Sequence, residues 1–243
     1  MSKRRRRYKR GYALAVLVGF EERKAVLWRV FSEVVKLDGS VEWGGAEKEG
    51  LYDFHQSIVN RLRPVLKEGV RSIVITAPAR TDYAKRFLGH IRKHDAWLLG
   101  EGDNAATFEE LTGSATQLHE VHELVKSKEF RDAISGATSR DAQNIAASLE
   151  KTLGSDRHGS VVLYSLEEIE ELIDARQEQS GLRPEHVVLT NRCLENTKVR
   201  GRMQRLLRVS QNKGIRTTII NAETAAGLRL TQLGGLVCFA KSK

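Results

Sequence analysis

Short apolar runs alternate with amphipathic helical periods along almost the whole chain, and this restricts the fold more than any other feature. Residues 11–19 (GYALAVLVG) and 72–77 (SIVITA) are apolar runs too short for a helix. They have the pattern of strands buried on both faces. Residues 25–37 are β-branched and aromatic, with Val26, Trp28 and Val30 at alternate positions, and read as one or two more strands. Asp38-Gly39-Ser40 has turn chemistry, and Gly44-Gly45 breaks the pattern again. Leu51, Phe54, Ile58, Leu62 and Val65 recur at three-to-four spacing, as do Tyr83, Phe87 and Ile91 with Leu88 beside them. Each set marks an amphipathic helix. The expected order is strand, strand, helix, strand, helix.

Residues 100–140 are less regular, with EGDN, TGSAT and SGATS around one helix near 118–125. A domain boundary is expected at 130–139. Beyond it, Ile145, Leu149 and Leu153 share a helix face, and 161–164 is a short strand. Ser165 and Glu168 have capping-box spacing for a helix with Leu166, Ile169, Leu172 and Ile173 inward. Strands at 186–189, 216–221 and 236–239 are separated by helices at 198–212 and 225–233, with Gly214 placed to end the first helix. This alternation predicts α/β architecture: two α/β sandwich domains, at 11–135 and 136–243, preceded by a basic arm at 1–10.

Charge is the informative part of the composition. The chain has 40 basic and 31 acidic residues, a net +9 over 243 residues. Seven cations, Lys3, Arg4, Arg5, Arg6, Arg7, Lys9 and Arg10, fall in the first ten residues, so the body carries only +2. Such an arm repels itself until an anion neutralises it. Nucleic acid, an acidic membrane surface or a receptor reading a basic address fit it. Tyr8 adds a stacking ring, and RNA suits a basic segment that folds on contact, so nucleic acid is the expected anion. The arm and residues 12–20 mimic a secretory leader, but Glu21, Glu22, Arg23 and Lys24 follow with no small-residue cleavage site. No apolar run approaches a membrane span of ~18 residues. Two distant cysteines, Cys193 and Cys238, exclude a disulfide framework and suit a reducing cytoplasm.

The second half divides its charge. Glu167, Glu168, Glu170, Glu171, Asp174 and Glu178 face only Arg176, whereas 192–216 is strongly basic. Lys198, Arg202 and Arg205 stand at i, i+4 and i+7. The bland reading is two solvated faces. The sharper one is a phosphate-binding basic face and a protein-binding acidic face at Glu167, Glu168, Glu170, Glu171 and Asp174. Nucleotide, zinc-protease and serine-hydrolase motifs do not occur. His119, Glu120, His122 and Glu123 sit close together; the two histidines, three apart, could share a metal, but a site needs a third ligand, and the group reads as the polar flank of a helix. Sequence assigns no partner to His55, His90, His94, His158 or His186. No metal and no cofactor are expected.

The stretch LYDFHQSIVNRLRPVLKEGVRSIVITAPARTDYAKRFLGHI resembles the central domain of Pelota and of the archaeal and eukaryotic class-1 peptide release factors. VVLYSLEEIEELID, EHVVLTNRCLEN, KGIRTTIINAETAAG and LTQLGGLVCFAK resemble, in order, that family's C-terminal domain. The resemblance implies a ribosome-bound factor contacting rRNA and tRNA in rescue, recycling, quality control or dormancy. It implies contact between the C-terminal domain and a translational GTPase or an ABC-type recycling ATPase, with helices 166–178 and 198–212 as candidates. The family's N-terminal decoding domain has no counterpart here, so stop-codon reading is not expected. Where release factors carry a Gly-Gly-Gln loop, this chain has Trp43-Gly44-Gly45-Ala46-Glu47. Alanine has neither donor nor acceptor and cannot orient water. Pelota also lacks that Gln. A peptidyl-tRNA hydrolase acting through Glu47, and an RNA-binding protein working off the ribosome, are the alternatives.

Overall fold

The computed structural model describes residues 12–44, 50–100, 105–153, 160–175, 181–196 and 198–242. Two compact units are present. The first takes residues up to Val59, with Ser72–Ala96 and Phe108–Ile134. The second takes Asn60–Arg71, Trp97–Thr107 and everything from Ser135.

Strands β1 (Ala13–Glu21), β2 (Lys24–Phe31) and β3 (Val35–Glu42) form a meander. Helix α1 (Gly50–Lys67), β4 (Ser72–Ala77), α2 (Tyr83–His94) and β5 (Thr107–Thr112) follow. The sheet order is β3-β2-β1-β4-β5, with β1 antiparallel to β2 and parallel to β4. The central strands β1 and β4 are covered on both faces, which is why their sequences read as unbroken apolar runs. Phe20 on one face packs against Phe54 and Phe87, with ring centroids 6.3 and 5.3 Å away. Leu17, Val26, Trp28 and Val74 form a second cluster with Ala115, Val121 and Phe130. There the Trp28 indole N–H donates to the Ala115 carbonyl at 2.7 Å. A Cβ on Gly19 would lie 2.3 Å from that same oxygen, so the close approach requires glycine.

Asp38-Gly39-Ser40 is not a turn but lies inside β3. Leu27 pairs with Gly39 and Trp28 with Leu37, which makes Asp38 the extra residue of a bulge. Its carboxylate accepts from Arg29 Nε at 2.7 Å, so pairing with β2 overrides the local turn preference. The stretch 100–140 is more regular than its composition suggests. It holds β5, α3 (Leu118–Lys126) and the start of α4 (Lys128–Leu153), a 26-residue helix running through SGATS. Phe130 near one end and Ile145 and Leu149 near the other are buried, and this anchoring outweighs a stretch of weak helix formers. The division between the units falls within α4, after Ile134.

Beyond α4 come β6 (Ser160–Leu163), α5 (Leu166–Asp174), β7 (Leu182–Thr190), α6 (Asn191–Glu195), α7 (Arg200–Asn212), β8 (Arg216–Ile220), α8 (Ala225–Gln232) and β9 (Leu236–Ser242). The sheet order is β6-β9-β7-β8, with β9 antiparallel to both neighbours and β7 parallel to β8. One core cluster joins α5 and α7 to the sheet through Ile169, Ile173, Met203 and Leu206. Another joins α4 and α8 through Ala142, Ile145, Ala226 and Leu230. The fold is therefore α/β, as expected, and its two sheets are both mixed.

Two local expectations are corrected. Ser165 makes no capping bond; its hydroxyl donates to Glu167 Oε2 at 3.3 Å instead. The reciprocal capping arrangement occurs at α3, between Gln117 and Glu120. Lys198 is not helical, because α7 starts only at Arg200, with Val199 at its N-cap. The residues before it form the short α6, which the sequence does not announce. Gly214 adopts the expected left-handed conformation, φ +70°, after α7.

Candidate nucleic-acid interface

The arm residues Lys3, Arg4, Arg5, Arg6, Arg7, Tyr8, Lys9 and Arg10 lie outside the described residues, as do Gly45, Ala46 and Glu47 of the loop after β3. Trp43 and Gly44 are described. The Trp43 backbone N–H donates to the Arg23 carbonyl at 2.8 Å, tying the loop's start to the β1–β2 turn. Phe54 stacks against the indole at 6.3 Å, and the Arg23 guanidinium lies 5.9 Å from the ring centroid. The indole N–H is buried and has no partner among the described residues. Glu21, Glu22, Arg23, Lys24, Glu42 and Trp43 line an open depression of about 510 Å³. Its rim of three acids and two bases is no phosphate cradle, and it contains no nucleophile held by a base.

The acidic and basic segments of the second unit meet each other. Arg202 forks between two α5 carboxylates, with Nη1 3.0 Å from Glu167 Oε1 and Nη2 2.5 Å from Glu170 Oε2. Arg205 Nη2 reaches Asp174 Oδ2 at 2.8 Å. The hydrogen bonds that Arg202 donates to Glu170 and then to Glu167 raise its pKa further. Lys213 Nζ donates to the carbonyls of Ile173 and Ala175, a cation at the negative end of α5. Packing of Ile169 and Ile173 against Met203 and Leu206 sets the two helices side by side, so their facing flanks must be complementary. Glu167, Glu170 and Asp174 therefore point toward α7. Glu168 and Glu171 are exposed and have no ion pair among the described residues. Lys198 is exposed in the turn before α7, with its backbone N–H on Asn196 Oδ1 at 3.1 Å. Arg176 and Glu178 lie outside the described residues.

Glu120, read from sequence beside two histidines, has a structural task. Its carboxylate accepts the backbone N–H groups of Gln117 and Thr116 at 2.9 and 3.0 Å. Desolvation alone would raise its pKa, but these bonds together with the Ser114 and Thr116 hydroxyls lower it. Among the described residues no cluster of three or more metal-ligating groups forms.

Sequence reasoning left unpaired the histidines that the fold gathers. His90 and His94, one turn apart on α2, lie 4.9 Å apart, and His55 from α1 lies 5.2 Å from His90. Tyr52 packs on both α2 histidines, and His90 Nε2 meets Gln56 Oε1 at 3.2 Å. Burial, then His90, then Arg86 push the His55 pKa down to about 4. Burial and His94 lower that of His90 against the opposing pull of Asp95. The i, i+4 spacing of His90 and His94 was a visible signal; the arrival of His55 from another helix was not.

No family model matches the chain, and no curated protein matches it. Solved structures do. Ribosome-bound archaeal Pelota with ABCE1 aligns over 94% of this chain and 62% of its own, at 16% identity and a TM-score of 0.52. Dom34 of S. cerevisiae is described as a translation termination-like factor involved in RNA quality control pathways and interacting with Hbs1. It aligns over 94% of this chain and 63% of its own, at 18% identity and a TM-score of 0.49. The archaeal translation termination factor aRF1 aligns over 93% and 61%, at 13% identity and a TM-score of 0.34. This chain thus spans somewhat over three-fifths of these proteins' length. Its fold is Pelota-like, and the likeness to archaeal Pelota carries that statement.

Proposed function

We propose that this protein is a Pelota-like, ribosome-associated translation factor of the cytoplasm, binding ribosomal RNA and the tRNA site in rescue, recycling, quality control or dormancy. The observation that carries this reading is the fold likeness to an archaeal Pelota that is itself ribosome-bound, extending over 94% of the chain. The charge distribution supports it, because seven cations in the first ten residues suit a phosphate-rich surface. A translational GTPase or an ABC-type ATPase is the partner class. Dom34 is described as interacting with Hbs1, and Pelota is described together with ABCE1. Exposed Glu168 and Glu171 on α5 are the acidic contacts that α7 leaves available. The Trp43–Glu47 loop serves binding, not hydrolysis, since Ala46 offers no group to position water.

The test is co-sedimentation with ribosomes across a salt series, the full chain beside a deletion of residues 1–10. Salt-sensitive association that weakens without the arm is expected. No association with any ribosomal particle at low salt removes the reading. Release of peptide from peptidyl-tRNA on large subunits, lost in Glu47→Ala, would replace it with the hydrolase.

A further inference from the structure

Helix α7 contains no acidic residue, yet its two exposed flanks differ in occupancy. On one flank, Arg202 and Arg205 are held by α5 carboxylates. On the other, Arg200, Gln204, Arg208 and Gln211 recur at i, i+4, i+8 and i+11, and all four are exposed. Neither Arg200 nor Arg208 has an ion pair among the described residues. Lys198, in the turn before the helix, is exposed as well. Lys198 and Arg200 also sit at the positive end of the helix dipole, with no acid in the first turn. That placement costs stability until an anion approaches.

We propose that the flank formed by Arg200, Gln204 and Arg208, with exposed Lys198 in the turn before it, contacts the phosphate backbone of RNA. This deepens the reading above and rests on it for the identity of the anion. The sequence alone favours Lys198, Arg202 and Arg205, but the fold commits Arg202 and Arg205 to α5 and turns Arg200 and Arg208 outward. Arg200 and Arg208 are two turns apart, about 12 Å along the axis, far enough to hold separate phosphates. Arginine donates in a planar fork that matches phosphate, and glutamine supplies donors for phosphate or 2′-hydroxyl oxygens. No large exposed apolar side chain lies on α7, whereas a protein-docking patch is centred on aromatic or aliphatic anchors. RNA is therefore the occupant this flank fits, ahead of an acidic protein.

Binding of the full chain to a labelled RNA hairpin, followed by anisotropy across a salt series, tests this. The variants are Arg200→Gln/Arg208→Gln and, as control, Arg202→Gln/Arg205→Gln, each with a thermal melt to verify folding. The first pair should flatten the slope of log K against log salt by about two units, from ~0.9 for each phosphate no longer neutralised. The control should keep the wild-type slope. An unchanged slope for Arg200→Gln/Arg208→Gln overturns the proposal, and so does an equal decrease in the control. Displacement of the chain's binding by polyglutamate but not by unlabelled RNA also overturns it. Ribosome co-sedimentation of the same proteins separates the two claims. A wild type that binds the hairpin through this flank but never sediments with ribosomes removes the translation reading and keeps this one. Ribosome binding that is unaltered in Arg200→Gln/Arg208→Gln, together with an unchanged hairpin slope, does the reverse.

Discussion

Replacing His55 by Phe should flatten the acid side of the protein's stability profile. The His55 ring is 4% exposed and lies 5.5 Å from Phe87 and 5.2 Å from His90. Its folded pKa is lowered to about 4, whereas an imidazole in the unfolded chain titrates near 6.5. Above pH 6.5 both states are neutral, and the stabilising effect of a neutral, packed ring is fully present. Between 6.5 and about 4 the unfolded chain takes up a proton that the folded one refuses, so stability falls as pH falls. Below about 4 both states are protonated, and this side chain adds no further loss. The gap corresponds to about 3 kcal/mol in total, with a limiting slope of ~1.4 kcal/mol per pH unit. His90 and His186 are shifted in the same direction and steepen the wild-type curve. His55 and His90 are close enough to titrate as a pair. Phe preserves the ring among its aromatic neighbours while removing the proton site. Urea unfolding from about pH 7.5 to about 4.5 measures the effect. Tryptophan emission is a suitable signal, since Trp43 stacks on Phe54, adjacent to His55. The wild type should lose stability from about pH 6.5 downward, and His55→Phe should lose distinctly less per pH unit. Equal slopes in the two proteins, or a wild type flat between pH 6.5 and 5, refute the reasoning.

Three further outcomes can be checked independently. Gly227→Ala should lower the melting temperature by several degrees, although alanine gains ~1 kcal/mol in an isolated helix. Its Cβ would fall 2.0 Å from the Asn221 carbonyl oxygen, a backbone clash costing about 1–3 kcal/mol or more, and a raised melting temperature contradicts this. Trp28→Phe should destabilise the first unit by about 1–3 kcal/mol, because it leaves the buried Ala115 carbonyl without its donor; an unchanged urea midpoint argues against that bond. Deleting residues 1–10 should flatten the salt dependence of RNA binding by several units, at ~0.9 for each phosphate the arm had neutralised, with little change in melting temperature. An unchanged slope means that the arm does not bind the RNA.

The strands and helices that make up the body of each sheet were readable because their signal is local. β4 coincides with the apolar run SIVITA, and Phe54, Ile58, Leu62 and Val65 occupy the buried stripe of α1 that their spacing implies. Elements with weak local signals were missed. β5 carries two glutamates and is held as an edge strand by backbone bonds at both ends, from Thr107 to Arg71 and from Gly113 to Ala77. α4 runs through residues that favour loops because buried side chains toward both of its ends hold it.

By itself the sequence determined the α/β class, the order of most elements, the left-handed turn at Gly214 and the concentration of charge at the N-terminus. These depend on periodicity, conformational preference and composition, which neighbours along the chain suffice to define. Only the tertiary structure decided which charges remain available. Arg200, Arg202, Arg205 and Arg208 are chemically alike and lie within nine residues of one another. The packing of α5 against α7 supplies carboxylates to Arg202 and Arg205 and none to the other two. Pairing is a property of positions far apart in sequence, so no local pattern can separate an arginine that locks two helices together from one that faces solvent ready for an anion.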